Sequence, residues 1–199
     1  MDWTAFLSYV FLNCITPGPN NMVSMSGAAQ RGFKHSLRYI SGAFIGFFTV
    51  SLLAGGFTAL LYGVLPAVEP WLLVLGAAYI LYLAWQVWRS KPDGNGGGGK
   101  QCGLISGVTM QFVNVKGILF AVTAMGSYVL PHYRGAAPVV LASLLMAAAC
   151  FVCCSVWALG GAALVGLYKK RAKTVNAVMA LALAWCAGDL LIELAGRYI

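Results

Sequence analysis

The sequence predicts an all-α integral membrane protein with six transmembrane helices arranged as two inverted three-helix repeats. Three observations carry that expectation. The 199-residue chain is 60% hydrophobic and only 9% charged, with a mean hydropathy of +0.81; a soluble domain carries roughly 25% charged residues. Its basic residues gather in alternate loops. Finally, two polar, helix-breaking motifs lie inside apolar stretches, each in the first apolar segment of one half of the chain: Thr16-Pro17-Gly18-Pro19-Asn20-Asn21 and Gln111-Phe112-Val113-Asn114-Val115-Lys116.

A membrane-spanning helix needs ~20 apolar residues, so the length holds about six spans with short loops and no separate soluble domain. Helices are expected over 3–26, 39–63, 68–88, 102–130, 136–166 and 174–196. The segments between them carry loop signals. These are Arg31-Gly32-Phe33-Lys34-His35, Leu65-Pro66 to Glu69-Pro70, Arg89 to Gln101, Pro131-His132-Tyr133-Arg134-Gly135 and Lys169-Lys170-Arg171-Ala172-Lys173. The stretch before Arg31 holds no Lys or Arg. It lacks the basic region of a cleavable signal peptide, and the first segment is expected to remain as a helix.

Charge sets the orientation. The first loop region holds Arg31, Lys34 and Arg38, the third Arg89, Lys91 and Lys100, and the fifth Lys169, Lys170, Arg171 and Lys173. The opposite side holds Arg134 and Arg197 alone. Such a bias marks the cytoplasmic face, so both termini are expected outside the cytoplasm, and the localisation is a bacterial inner membrane. The net charge of +8 is thereby assigned mainly to cytoplasmic loops rather than to nucleic-acid binding. Three helices per half put the halves in opposite orientation. The chain then reads as one transporter domain, 1–199, with a first repeat at 1–88 and a second at 102–199. A linker at 89–101 joins them, flexible by its composition Gly94-Asn95-Gly96-Gly97-Gly98-Gly99.

The first motif is expected to break the first helix at Pro17-Gly18-Pro19. Each proline removes a donor and clashes with the preceding turn, and Gly18 adds freedom. Carbonyls of residues 13 to 15 would be freed, and a helix restarting near Asn20 would present a positive end suited to a carboxylate. The plain alternative is a structural kink. In the second motif, Lys116 falls near the middle of the fourth span. A central Lys costs about 2.5–3.5 kcal/mol on insertion scales, so a partner is expected. Asn114 and Gln111 supply polar company, and Asp189 in the sixth span is the candidate ion partner. Substrate contact is thus expected at Pro17, Gly18, Pro19, Asn20, Asn21, Gln111, Asn114 and Lys116, with proton coupling at Asp189 or Lys116.

At these residues the sequence resembles the LysE/RhtB family of amino-acid exporters, through Pro17-Gly18-Pro19-Asn20 and through Asn114-Val115-Lys116, where the family carries Asn-Pro-Lys. Val129-Leu130-Pro131 and Trp157-Ala158-Leu159-Gly160-Gly161 are also similar. Val115 stands where much of the family has Pro, which weakens the expectation of a proline break in the fourth helix; Gly117 is left to soften the backbone there. The resemblance implies export of small zwitterionic amino acids, such as cysteine or O-acetylserine, from the bacterial cytoplasm in exchange for protons, and no enzymatic activity. Oligomeric state is left open.

The six cysteines raise a rival reading, a membrane thiol–disulfide electron carrier with Cys14 as its reactive thiol. Cys150 and Cys153 form a C-x-x-C pair, but in an apolar run of small residues, where Cys packs as a small hydrophobe. Cys102 does not mirror Cys14 in the second half, so export is preferred. His35 and His132 are solitary, and no metal or cofactor is expected. No phosphate-binding loop is present, against an ATP-driven pump. The aromatics Trp71, Tyr79, Tyr82, Trp85 and Trp88 bracket the third span, and those at its ends read as interfacial anchors. Close packing is expected at Gly42, Gly46, Gly55, Gly56, Gly160, Gly161 and Gly166.

Overall fold

The computed structural model describes residues 1–89 and 103–198, with side chains described outside 58–69, 72, 165, 166, 168, 169, 189, 190, 193, 197 and 198. The expected linker therefore falls almost wholly outside the described residues, and so does the side chain of Asp189. Every regular element that is described is helical.

Asp2 opens the first helix, α1 (Trp3–Ile15), its Oδ1 accepting from the backbone N–H groups of Thr4 and Ala5 at 2.9 and 3.1 Å. The chain leaves helical geometry at Thr16, passes through an extended Gly18, and re-enters it at Pro19 to form α2 (Pro19–Arg31). Proline suits that first helical position, where its missing donor has no intrahelical partner anyway. Gly32, at φ 85°, makes the sharp corner into α3 (Phe33–Gly56), and α4 (Thr58–Trp88) follows after Phe57. In the second half, α5 (Leu104–Val113) and α6 (Val115–Thr123) meet at Asn114. A six-residue π-helical segment, Ala124–Val129, continues α6. Gly135, at φ 93°, leads into α7 (Ala136–Ala163) and then α8 (Val165–Tyr198), which kinks at Arg171.

Among the described residues, α3 and α7 are each long and apolar enough to cross a membrane, and the α5–α6 pair, bent by 66°, adds a third if it is one span. Two loop expectations are corrected. The turn expected at Leu65 to Pro70 lies instead at Phe57, whose N–H closes onto Leu53 O at 2.9 Å. α3 ends at Gly56 with the non-helical Phe57 (φ −121°) as its cap, while Pro66 and Pro70 fall inside α4. The basic segment Lys169–Lys173 is not a loop but a kinked helix; α7 hands over to α8 at Leu164.

At the centre, α3 packs against both α5 and α7, α4 packs along α8, and α2 is enclosed by α7, α3 and α8. That enclosure explains α2, whose sequence is the polar run PNNMVSMSGAAQR although most of its residues are buried. Small residues bring backbones together, as in membrane helix packing. A methyl group on Gly42 would strike the Leu104 carbonyl, one on Gly107 would strike the Tyr39 carbonyl, and one on Gly46 would lie 2.8 Å from the Val108 carbonyl. Gly161 is held in the same way against Met25 O, and Gly55 against Val139. Gly56 and Gly160 face open space, contrary to expectation, and the side of Gly166 lies outside the described residues.

This contrast yields a stability test. Gly107→Ala forces two backbones apart and is expected to destabilise the detergent-solubilised protein by about 1–3 kcal/mol. Gly160→Ala, with nothing to strike and a better helix former, should leave it equal or up to ~1 kcal/mol more stable. Thermal unfolding of the two variants side by side checks both.

Candidate functional site

The two breaks lie against each other. At the first, α1 ends with carbonyls that α2 cannot reach as a continuing helix would. Asn21 closes them: its Nδ2 donates to Cys14 O at 2.9 Å and to Thr16 O at 2.8 Å. Its Oδ1 accepts from the Cys154 thiol on α7 at 3.3 Å. Trp157 Nε1, also from α7, donates to Ile15 O at 3.0 Å, and the Thr16 hydroxyl lies 2.8 Å from Leu12 O and 3.2 Å from Asn13 O. The carbonyls expected to be free for a ligand are therefore engaged by the protein's own donors. Asn21 is a strut of the break.

Asn20 does something different. Its side-chain amide pairs reciprocally with that of Gln111 on α5: Asn20 Nδ2 donates to Gln111 Oε1 and Gln111 Nε2 donates to Asn20 Oδ1, both at 2.9 Å. The Tyr39 hydroxyl of α3 adds a third bond to Asn20 Oδ1 at 3.0 Å, and Gln111 Nε2 also reaches Gly107 O at 3.1 Å. One residue from each motif is thus spent on joining the two halves of the chain.

The second break forms without proline. Asn114 takes a non-helical conformation (φ −84°, ψ 89°), and its Oδ1 accepts from Gly117 N at 3.3 Å, capping α6. The weakened expectation of a break at Val115 is corrected: a capping Asn ends one helix and starts the next as effectively as a proline would. Gly117 contributes by being small, since a methyl group there would lie 3.2 Å from Asn114 Nδ2.

The first turn of α6 carries Lys116, which crosses to the other break. Its Nζ donates to Thr16 Oγ1 at 2.8 Å and lies 3.5 Å from where a Gly18 methyl group would sit. The ammonium thus rests at the C-terminal, negative end of α1, a favourable place for a cation. Nearby, the first turn of α2 supplies the amides of Asn20 and Asn21 without intrahelical partners. Around these groups the protein is hollow. A cleft of about 480 Å³ is lined by Tyr9, Asn13, Pro17, Gly18, Trp185 and Lys116, among others. An inner cavity of about 40 Å³ shares Asn13, Gly18, Pro19, Asn114, Lys116 and Phe120 with it, and also reaches Cys14, Phe47 and Cys150.

Residues 11–194 match the family model of the LysE type translocator. The chain belongs to that family. It is 37% identical over 184 residues, 92% of its length and 94% of theirs, to proteins named "Cysteine/O-acetylserine efflux protein" from Escherichia coli (strain K12), Shigella flexneri and Shigella sonnei. No solved structure matches.

In this LysE type translocator, Gly18, Pro19, Asn20, Asn21, Gln111, Asn114 and Lys116 all line the inner cavity, and Pro17 lines the wider cleft. Asp189 belongs to α8, with its side chain outside the described residues. The motifs missed Asn13 and Cys14, which adjoin the first of them, and Phe47, Phe120 and Cys150, which no local signal distinguishes from core. They also missed Trp157 and Cys154, the α7 groups that hold the first break. The Cys150–Cys153 spacing is not the one that brings thiols together; Cys150 and Cys154, one helical turn apart, place their sulfurs 4.0 Å from each other. Cys14, Cys150, Cys153, Cys154 and Cys186 are free thiols, and the described residues hold no group of three or more potential metal ligands.

The strut is separable from the site. Asn21→Leu would strip the buried Cys14 carbonyl, the part-buried Thr16 carbonyl and the Cys154 thiol of partners, an expected loss of about 1–3 kcal/mol for the buried carbonyl and less for the other two. A thermal unfolding midpoint well below that of Lys116→Ala, a more exposed position, would bear this out.

Proposed function

We propose that this protein is a secondary transporter that exports small neutral amino acids, cysteine and O-acetylserine among them, from the bacterial cytoplasm in exchange for protons. The observation that carries the reading is the placement of Lys116. A cation from one broken helix meets the carbonyl end of another, in a cleft that narrows to a cavity of side-chain size. The family assignment and the printed names of the relatives support the same substrate class. Zwitterions suit this site: the carboxylate meets Lys116 and the amides that open α2, and the ammonium meets the polar rim or Asp189.

The reading includes six spans in the inner membrane, both termini outside the cytoplasm, and inverted halves rocking about the site. The pairings α3 with α7 and α4 with α8 are those that a twofold axis between inverted halves would generate, which supports it. Asp189 or Lys116 carries the coupled proton, since desolvation favours the neutral form of each and an ion partner opposes it.

Counterflow in proteoliposomes tests this. Saturable exchange of radiolabelled cysteine or O-acetylserine, accelerated by an imposed pH gradient, is expected. Lys116→Ala should lower it at least a hundredfold while inserting normally, and Asp189→Asn should flatten its pH dependence. Full export by a well-inserted Lys116→Ala protein removes Lys116 from the mechanism. A protein that passes reducing equivalents across the bilayer but exchanges no amino acid would favour the thiol carrier instead.

A further inference from the structure

We infer that Asn13, in the last turn of α1, receives the α-ammonium group of the exported amino acid on its side-chain oxygen, while Lys116 holds the carboxylate. The inference rests on the export reading and adds to it the residue that requires the substrate to carry an amine.

Among the described residues, neither the cleft nor the inner cavity is lined by a carboxylate. A substrate ammonium there must be answered by neutral oxygens, because a cation taken out of water without acceptors is costly. Five side-chain amides line the two spaces, and four have their oxygens engaged. Asn20 Oδ1 accepts from Gln111 and Tyr39, Gln111 Oε1 from Asn20, Asn21 Oδ1 from Cys154, and Asn114 Oδ1 from Gly117 N. Asn13 is the fifth, and it lines both spaces. Its Nδ2 donates to Tyr9 O at 2.9 Å. A carbonyl only accepts, so the amide nitrogen must face Tyr9 and the oxygen is the atom left to offer. Among the described residues, that oxygen accepts no hydrogen bond from the protein.

The placement suits a zwitterion. Lys116 Nζ donates to the Thr16 hydroxyl at 2.8 Å, and the same hydroxyl lies 3.2 Å from Asn13 O. Asn13 and the Lys116 ammonium are therefore separated by about one hydroxyl group, a gap that the adjacent carboxylate and ammonium of an α-amino acid can bridge. The last turn of α1 is also the negative end of its helix, which favours a cation. Other groups on the cleft are less well placed. The Tyr9 ring is packed against Phe120 and Tyr128, with centres 5.5 Å away in each case. Thr123 lies about two turns beyond Lys116 on α6, roughly 10 Å along the axis, beyond the span of the two charges of one α-amino acid. A site with an acceptor waiting for an N–H rejects the analogue that lacks it.

The test compares cysteine with 3-mercaptopropionate, which is cysteine without its amine, as competitors of radiolabelled cysteine counterflow at pH 7 under reducing conditions. Wild type should favour cysteine at least tenfold, the scale of one hydrogen bond to a charged group. Asn13→Ala, a good helix former at a half-buried position, and Asn13→Leu, which keeps the volume, should each weaken cysteine at least tenfold. Inhibition by 3-mercaptopropionate should stay within about twofold of wild type, so the preference is lost. A merely structural role for Asn13 would weaken both ligands together, and that outcome overturns the inference. A preference retained by an exporting Asn13→Ala or Asn13→Leu protein, as it would be if Asp189 received the ammonium, overturns it and leaves the export reading standing. So does a wild type that 3-mercaptopropionate inhibits as strongly as cysteine does, whatever the variants do. A wild type with no saturable flux of any neutral amino acid overturns the export reading itself, and this inference with it.

Discussion

The constraint on which the site depends is that a helix interrupted inside a protein must have its loose carbonyls answered from within. Water is scarce there, and an unanswered buried polar group costs about 1–3 kcal/mol. Here the answer comes mostly from outside α1. Asn21 is seven residues beyond Cys14, and Trp157 and Cys154 reach in from α7. The break is therefore a tertiary object: α1 and α2 hold their relation because α7 is in place. Beside these engaged carbonyls, Lys116 lines the cleft together with Tyr9, Asn13, Asn114 and Thr123.

The polarity of α2 follows from the same constraint. Ser24 Oγ donates to Asn20 O and Ser36 Oγ to Ser24 O, each at 2.8 Å, tying the α2 backbone to itself and to α3. Add the Asn20–Gln111 pair, and α2 becomes the element through which the two halves of the chain hold each other. An apolar helix there would pack, but it could not fix the register of the amide pair. Glycine backbones pressed together at Gly42, Gly46 and Gly107 bring α3 and α5 close enough for Tyr39 and Gln111 to meet on Asn20.

Much of this was legible in the sequence. Helical class follows from composition, and both motifs line one cavity because polar, helix-breaking residues persist in an apolar chain only where something engages them. What was not legible is how each motif residue is employed. Asn20 and Asn21 are neighbours with the same side chain; one clasps the opposite half and the other props its own break. The difference comes from what α5 and α7 present to them, which no local pattern encodes. Nor does sequence spacing reveal that Phe47, Phe120 and Cys150 converge, since each sits on a different helix and reads as core. The turn at Phe57 was missed for another reason. Two prolines outweighed Gly55-Gly56 by propensity, but the α3–α4 corner is set by where α3 stops packing.

The hollow spaces bear on how such a site would serve exchange. The cleft beside α1 and α8 reaches Lys116 and Gly18. Another, of about 510 Å³, lies beside α5 and α4 and is lined by Tyr79, Gln86, Ser106 and Thr109, among others. Under the proposed inverted arrangement of the halves, these two clefts would be equivalents, with α5 standing for α1 and α4 for α8. They are not equal here: one touches both breaks, and the other touches neither. Under the exchange reading, that inequality is what one of two alternating states must show. The residues positioned to convert it are Asn20 and Gln111, which join the halves, and Tyr39, which braces Asn20 from within its own half. Their three hydrogen bonds, each of 2.9–3.0 Å, are individually weak enough to exchange for water, at about 1 kcal/mol net apiece. A clasp of neutral amides suits a moving joint better than an ion pair would. Opening it strands no charge, so the two states can lie close in free energy.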